Sequence, residues 1–205
     1  MFNKAIQHLT QHDPALASII ASSSLPTFHP HTHYYQALVE SIIGQQLSVS
    51  AAHAIRERFK ALSKNGFPTP EEIIDYTVEE LRGIGLSRPK AAYIQDLAKH
   101  VIDRTIQLET FDTFSNEKII SELTAVKGIG EWTAHMFLIF CMGRLDVLPA
   151  GDLGIRNGIA KLYDVGHVPS PLEVAAIADR HQWHPYESVA SWYIWRSLGN
   201  TPTVT

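Results

Sequence analysis

Two glycines and one aspartate have the residue types and spacing of a site that holds an anion and acts beside it. Gly128 and Gly130 flank Ile129 between two helical patterns, so the backbone turns tightly where only small residues let a ligand come close. The helix that begins near Glu131 points free N–H groups and the positive end of its dipole outward, which favours a phosphate. A helix C-cap with a spare glycine is the alternative interpretation.

Two polar residues border this glycine turn (Lys127–Gly130) and extend the predicted phosphate site. Thr133 supplies a hydroxyl donor in the first turn of the following helix. Lys127 directly precedes the first glycine and is expected to face the phosphate.

Asp152 stands at the end of a second turn. Pro149 and Gly151 terminate the preceding apolar helix, and a new helix is predicted to start at Leu153. One interpretation of Asp152 is a routine helix N-cap. The other is a carboxylate held beside the phosphate-binding turn, ready to act on a nucleotide docked there.

A polar loop interrupts the helical pattern that starts at Tyr34. Gly44 breaks the pattern, Gln45, Gln46 and Leu47 follow, and Ser48 is a credible N-cap for the next helix. We call Gln45–Ser48 the wedge loop. By themselves, two adjacent glutamines beside a glycine are more typical of a polar helix end than of a functional loop.

Three blocks of the sequence resemble the helix-hairpin-helix DNA glycosylases, in particular the branch of 3-methyladenine DNA glycosylase II. The first is Gly-Ile-Gly-Glu-Trp-Thr-Ala at 128–134, followed by an apolar helix and the Pro/Gly loop that ends in Asp152. The others are 41–48 and 183–188. The resemblance runs in order from about Tyr34 to Leu198.

The resemblance implies a fold as well as an activity. The expected fold is all-α and two-lobed, with the active-site cleft between the lobes, and the absence of alternating strand patterns agrees with an all-α chain. Residues 1–205 would form a single helical domain with its hairpin at about 120–140. The chain resembles the compact form of the family, without an N-terminal β domain.

The implied activity is that of a monofunctional glycosylase, which flips out alkylated purines of the 3-methyladenine and 7-methylguanine class and hydrolyses their N-glycosidic bonds in base excision repair. Asp152 would be the catalytic carboxylate. Bifunctional relatives carry a lysine nucleophile two residues after the second hairpin glycine, and Trp132 occupies that position here. The wedge that fills the gap left by the nucleotide would be Gln46, with Leu47 as the alternative.

The remaining site residues follow from the same resemblance. The residues expected to line the base pocket are Trp132, Tyr186, Met136 and Trp183, although buried aromatic residues are usually core. Those expected to contact DNA are Gly128, Gly130, Thr133, Lys127, Gln45, Gln46, Leu47 and Ser48. The alternative function is a non-catalytic helix-hairpin-helix module that holds DNA without chemistry.

Double-stranded DNA with alkylated bases is the expected partner, and the protein is expected to act as a monomer without a required cofactor. A structural Na⁺ or K⁺ at the backbone carbonyls of Val126 and Gly128 is an inference from the family. No metal site made by side chains is expected, because His29, His31 and His33 lack a carboxylate or cysteine companion.

Composition restricts the other classes of function. The formal net charge of −4 is the wrong sign for bulk attraction to DNA, so a local basic face is expected from Lys127, Arg88, Lys90, Arg156 and Lys161. The single cysteine, Cys141, excludes a four-cysteine iron–sulfur site within the chain. The sequence predicts no membrane span and no signal peptide, and hence an intracellular protein: cytoplasmic at the nucleoid in a bacterium, nuclear in a eukaryote.

Overall fold

The computed structural model describes residues 2–199, and these contain helices but no strands, as the sequence predicts. The helices are α1 (Phe2–His12), α2 (Pro14–Ser22), α3 (Tyr34–Gly44), α4 (Val49–Lys60), α5 (Pro70–Asp75), α6 (Val78–Gly83), α7 (Arg88–Ile102), α8 (Asn116–Thr124), α9 (Glu131–Met136), α10 (Leu153–Leu162), α11 (Pro171–Arg180) and α12 (Glu187–Ser197). A 3₁₀ segment, Leu108–Thr113, precedes α8, and a π-helical turn, Phe137–Cys141, continues α9.

Side-chain caps fix where several of these helices begin. Thr69, Thr77 and Ser170 each form a capping box with the glutamate three residues later. The Ser170 backbone N–H donates to Glu173 Oε2 at 2.7 Å. This hydrogen bond is the largest of the contacts that together lower the pKa of Glu173 to about 2. The helix starts therefore depend on contacts that span only three residues.

The helices pack into two compact units, one of which is continuous in sequence. This central unit consists of His31–Phe137 and contains α3 to α9. Within it, α7 packs against α3, α5 and α6, and α8 packs against α9. Its core includes fully buried Leu38, Ile42, Phe59, Leu97 and Phe111.

The second unit, which we call the terminal unit, combines residues 2–30 with residues 138–199. Within it, α12 packs against α1, α2 and α10. Asp13 is fully buried there and accepts hydrogen bonds from the Leu16 N–H (2.9 Å), the Trp183 indole N–H (2.8 Å) and the Tyr163 hydroxyl. This carboxylate therefore joins the N-terminal helices to the C-terminal part of the same unit.

Membrane-spanning helices and groups of metal-binding side chains are both absent from residues 2–199. None of the helices there is long and apolar enough to cross a membrane. No group of three or more His, Cys, Asp or Glu side chains in this part of the chain could hold a metal ion. The rings of His31 and His33 lie 5.9 Å apart without forming such a group.

Candidate nucleic-acid interface and catalytic carboxylate

Gly128 is required by its own backbone and by a neighbouring ring, both within the central unit. Its φ is +83°, in the left-handed region that favours glycine. A Cβ atom at this position would lie 2.1 Å from the Tyr93 ring, which belongs to α7. The glycine therefore lets the turn sit directly on α7.

Gly130 has no such internal requirement. Its φ is −94°, it caps α9 without a side-chain hydrogen bond, and a Cβ atom there would meet nothing within 4 Å. The space beside Gly130 is open, and the first N–H groups of α9 have no acceptor within the helix. This geometry suits the close approach of a ligand from outside the turn.

Asp96 on α7 holds the start of the glycine turn. The Lys127 N–H donates to Asp96 Oδ2 at 2.9 Å, and Lys127 Nζ lies 3.4 Å from Oδ1. The Lys127 side chain nevertheless remains 75% exposed. Its ammonium group is thus at the surface, but its charge is partly offset by Asp96.

Thr133 is buried in the hairpin, with an exposed fraction of only 6%. This argues against the surface hydroxyl donor expected from the sequence. A threonine in the first turn of a helix can face the packing as readily as solvent, and the sequence did not determine which.

Lys90 and Gln45 connect the wedge loop to the rest of the central unit. Lys90 Nζ donates to the carbonyls of Ile43 (2.9 Å) and Gln45 (2.6 Å), and burial lowers its pKa. The Gln45 side-chain amide donates to the Gly128 carbonyl at 2.8 Å. The wedge loop and the glycine turn are therefore joined directly, 83 positions apart in sequence.

Gln46 is one of four described residues other than glycine that have a positive φ, together with Arg104, Asp164 and Gln182. Its φ is +56°, which is uncommon for a residue other than glycine, and its side chain is exposed. Leu47 is also exposed, at 39%. Ser48 caps α4 by accepting the Ala51 N–H at 3.3 Å, which confirms the predicted N-cap.

Asp152 caps α10 in the terminal unit, which agrees with the first of its two interpretations and leaves the catalytic one as a prediction. Its Oδ1 accepts the Ile155 N–H at 2.8 Å and also the Trp195 indole N–H at 2.8 Å. The Ile155 N–H and the Trp195 indole N–H thus donate to the same oxygen of the Asp152 carboxylate. Trp195 was not identified from the sequence, because nothing in the pattern of α12 marks it among the aromatic residues of that helix.

The four residues expected in the base pocket differ in exposure. Trp132 is 49% exposed, and Tyr186 is half-buried with its ring 5.2 Å from that of His8. Met136 and Trp183 are 1% and 0% exposed. Met136 and Trp183 are core residues in this structure. The indole N–H of Trp183 can be buried because it donates a hydrogen bond to the buried carboxylate of Asp13.

The expected basic face is weaker than the sequence suggests, because several of its members are engaged within the protein. Arg88 forms an ion pair with Glu79 at 2.5 Å, and Arg156 Nε donates to the Pro169 carbonyl at 2.6 Å. Lys90 is directed at the carbonyls of Ile43 and Gln45. Backbone N–H groups at the glycine turn, rather than these cations, are the better candidates for holding an anion.

Comparison with known proteins gives a consistent set of relatives. A family model described as HhH-GPD superfamily base excision DNA repair protein matches residues 39–181. The chain is 41% identical over 165 residues to DNA-3-methyladenine glycosylase 1 of Schizosaccharomyces pombe, covering 80% of this chain and 72% of that protein.

Two solved structures extend this similarity to the fold. One is the 3-methyladenine DNA glycosylase of S. pombe in complex with abasic DNA, with a TM-score of 0.76 and 35% identity over 96% of this chain and 97% of that one. The other is a DNA-3-methyladenine glycosidase from Bacillus halodurans, with a TM-score of 0.82 and 35% identity over 95% and 89%.

Proposed function

The chain belongs to the HhH-GPD superfamily of base excision DNA repair proteins, and from this premise we propose that it is a monofunctional DNA glycosylase for alkylated purines. Its substrate class would be 3-methyladenine and 7-methylguanine in double-stranded DNA. The observation that carries the proposal is Asp152, whose carboxylate is held by two N–H donors in a chain 41% identical to a DNA-3-methyladenine glycosylase.

The chemistry needs only one carboxylate. As the N-glycosidic bond breaks, its electron pair leaves with the base, and positive charge develops on the deoxyribose. The Asp152 carboxylate would stabilise this charge, orient the water that adds to C1′ and accept the proton that this water loses. A purine alkylated at a ring nitrogen is already cationic, so it leaves as a neutral base without a proton from the protein.

Strand cleavage is not part of the proposed reaction. It would require an amine that attacks C1′ and forms a Schiff base. The position where bifunctional relatives carry that lysine is Trp132 in this chain. The product should therefore be an intact strand containing an abasic site.

Recognition of the flat, cationic base would depend on aromatic faces. Trp132 is exposed and Tyr186 is half-buried, and each would contribute stacking and cation–π attraction of about 0.5–2 kcal/mol. The glycine turn would hold the DNA backbone through the N–H groups beside Gly130. Gln46, exposed and held at positive φ, would occupy the gap that the flipped nucleotide leaves.

We also propose that a monovalent cation would bind at the backbone carbonyls of Val126 and Gly128. Val126 O accepts the Ile129 N–H at 3.1 Å, and Gly128 O accepts the Gln45 amide at 2.8 Å. A carbonyl oxygen has two lone pairs, so one hydrogen bond does not prevent it from binding Na⁺ or K⁺. When bound, the cation would add positive charge for a DNA phosphate. The reaction itself would need no cofactor.

The test is release of free base from methylated double-stranded DNA. Wild-type protein should release 3-methyladenine and 7-methylguanine, detected by chromatography, and the DNA should break at the resulting sites only after alkali. Asp152→Asn should still bind abasic-site DNA, because asparagine can cap α10, but it should release base about 10²- to 10³-fold more slowly. DNA binding by wild type without any release would instead identify a non-catalytic DNA-binding module.

Two further properties follow from this role. A DNA repair enzyme must reach chromosomal DNA, so the protein would act at the nucleoid of a bacterium or in the nucleus of a eukaryote. We also propose that the protein acts as a monomer, since none of the roles assigned above requires a residue from a second chain.

A further inference from the structure

The indole of Trp195 is placed to control how the Asp152 carboxylate is oriented. We propose that Trp195 is a positioning residue, and that Gly154 leaves the space in which its indole meets Asp152. The proposal rests on the function proposed above, because it assigns a task to residues that would act through the catalytic carboxylate.

Two donors reach the same carboxylate oxygen from different parts of the terminal unit. The Ile155 N–H, in the first turn of α10, and the Trp195 indole N–H, from α12, each lie 2.8 Å from Asp152 Oδ1. A helix cap alone supplies one local bond, and the last torsion of an aspartate has broad minima. A second, charge-assisted bond from another helix restricts that rotation.

The indole itself has little freedom to move away. Trp195 is only 2% exposed and lies in the last turns of α12, a helix whose residues from Ser188 to Trp195 are all buried. Its ring is stacked with Phe140, with centroids 6.1 Å apart and planes inclined by 29°. The donor is therefore held by packing that does not involve Asp152.

Gly154 is explained by this contact and not by its backbone. It lies inside α10, where glycine is less favourable than alanine, and its φ is outside the left-handed region. A Cβ atom at this position would lie 3.0 Å from Asp152 Oδ1, and 3.1 and 3.3 Å from Trp195 Cδ1 and Nε1. Even a methyl group would press on both partners of the hydrogen bond.

The first arm of the test is spectroscopic and needs no activity. The protein has four tryptophans, and the indole N–H signal of Trp195 in a ¹H–¹⁵N spectrum can be assigned from its loss in Trp195→Phe. The signal should lie downfield, because a carboxylate acceptor deshields the proton, and it should move upfield in Asp152→Ala and Gly154→Ala. A Trp195 signal that Asp152→Ala leaves unmoved would overturn the proposal.

The second arm separates positioning from folding. Trp195→Phe keeps a buried ring but loses the donor, and it should lower the single-turnover rate of 7-methylguanine release roughly 10- to 100-fold, because small misplacements of reacting groups are costly. Gly154→Ala should act in the same direction. Affinity for abasic-site DNA should stay close to wild type in both, which a general loss of structure would not allow.

Trp192→Phe is the matched control. Trp192 lies on the same helix and is 3% exposed, but its indole nitrogen has no hydrogen-bond partner among the described residues. The same substitution there should leave the release rate unchanged. Equal losses in Trp192→Phe and Trp195→Phe would show that aromatic packing, and not the bond to Asp152, is responsible.

The two proposals fail in distinguishable ways. If Asp152→Asn is inactive but Trp195→Phe releases base at the wild-type rate, the positioning role is wrong and the catalytic role of Asp152 stands. If Asp152→Asn is as active as wild type, the catalytic assignment fails, and the positioning role fails with it.

Discussion

Alanine substitution of the two glycines at the glycine turn should have opposite consequences, although they are only two residues apart. Gly128 has φ +83° and lies against Tyr93, whereas Gly130 has an ordinary backbone and open space around it. We therefore expect Gly128→Ala to damage the fold of the central unit. Gly130→Ala should leave the fold intact and impair DNA binding instead.

The magnitudes follow from these contacts. At Gly128, the left-handed conformation costs a non-glycine residue about 1–2 kcal/mol and overpacking against Tyr93 about 1–3 kcal/mol, or about 2–5 kcal/mol together. At Gly130, replacing an N-cap glycine by alanine costs up to about 1 kcal/mol, which the reduced entropy of the unfolded chain offsets by about 0.4–1 kcal/mol. The net change there should be close to zero.

Urea denaturation and fluorescence anisotropy with abasic-site DNA measure the two effects separately. A double-mutant cycle with Tyr93→Ala should recover the overpacking part of the Gly128→Ala cost, about 1–3 kcal/mol. Gly130→Ala should weaken DNA binding about 10- to 100-fold, as expected for a lost hydrogen bond to a charged group. Equal destabilisation by the two substitutions, or wild-type DNA affinity of Gly130→Ala, would refute this reasoning.

Three further substitutions test other parts of the structure. Asp13→Asn should lower the free energy of unfolding by about 2–4 kcal/mol, because the amide places a donor against the buried indole N–H of Trp183; unchanged urea denaturation would contradict the buried network. Lys90→Met should speed amide hydrogen exchange in the wedge loop, because methionine cannot donate to the Gln45 carbonyl as the Lys90 ammonium does. Unchanged exchange would show that the loop does not depend on the ammonium. Glu173→Gln should lower Tm at pH 7, because the carboxylate has its pKa lowered to about 2 and stabilises the fold above its ordinary pKa of 4.5. The difference in Tm from wild type should shrink as the pH falls from 5 toward 3. A difference that stays constant over that range would contradict this prediction.

The features that the sequence predicts well are those made by neighbouring residues. The capping boxes at Thr69, Thr77 and Ser170 are such features, because donor and acceptor lie three positions apart. The caps at Ser48 and Asp152 are equally local. The order and the starts of most helices could therefore be read from single segments.

Contacts between distant segments could not be predicted in this way. Trp195 meets Asp152 across 43 positions, and α12 is buried on all sides over most of its length, so it has no amphipathic pattern from which to choose a face. The sequence also did not separate the exposed Trp132 from the buried Trp183, because the burial of Trp183 depends on contacts such as its hydrogen bond to Asp13, 170 positions away. Lys90 was expected on a basic face because its bonds to carbonyls 45 and 47 positions away leave no local sign.

The most direct test of the central claim is the single-turnover rate constant for release of 7-methylguanine by Asp152→Asn, with enzyme in excess over methylated DNA. Asp146→Asn, an exposed aspartate in the turn before α10, serves as the control. Loss of electrostatic stabilisation by one preorganised group predicts a fall of about 10²- to 10³-fold for Asp152→Asn, with affinity for abasic-site DNA retained and Asp146→Asn unaffected. Release by Asp152→Asn at the wild-type rate would contradict the account.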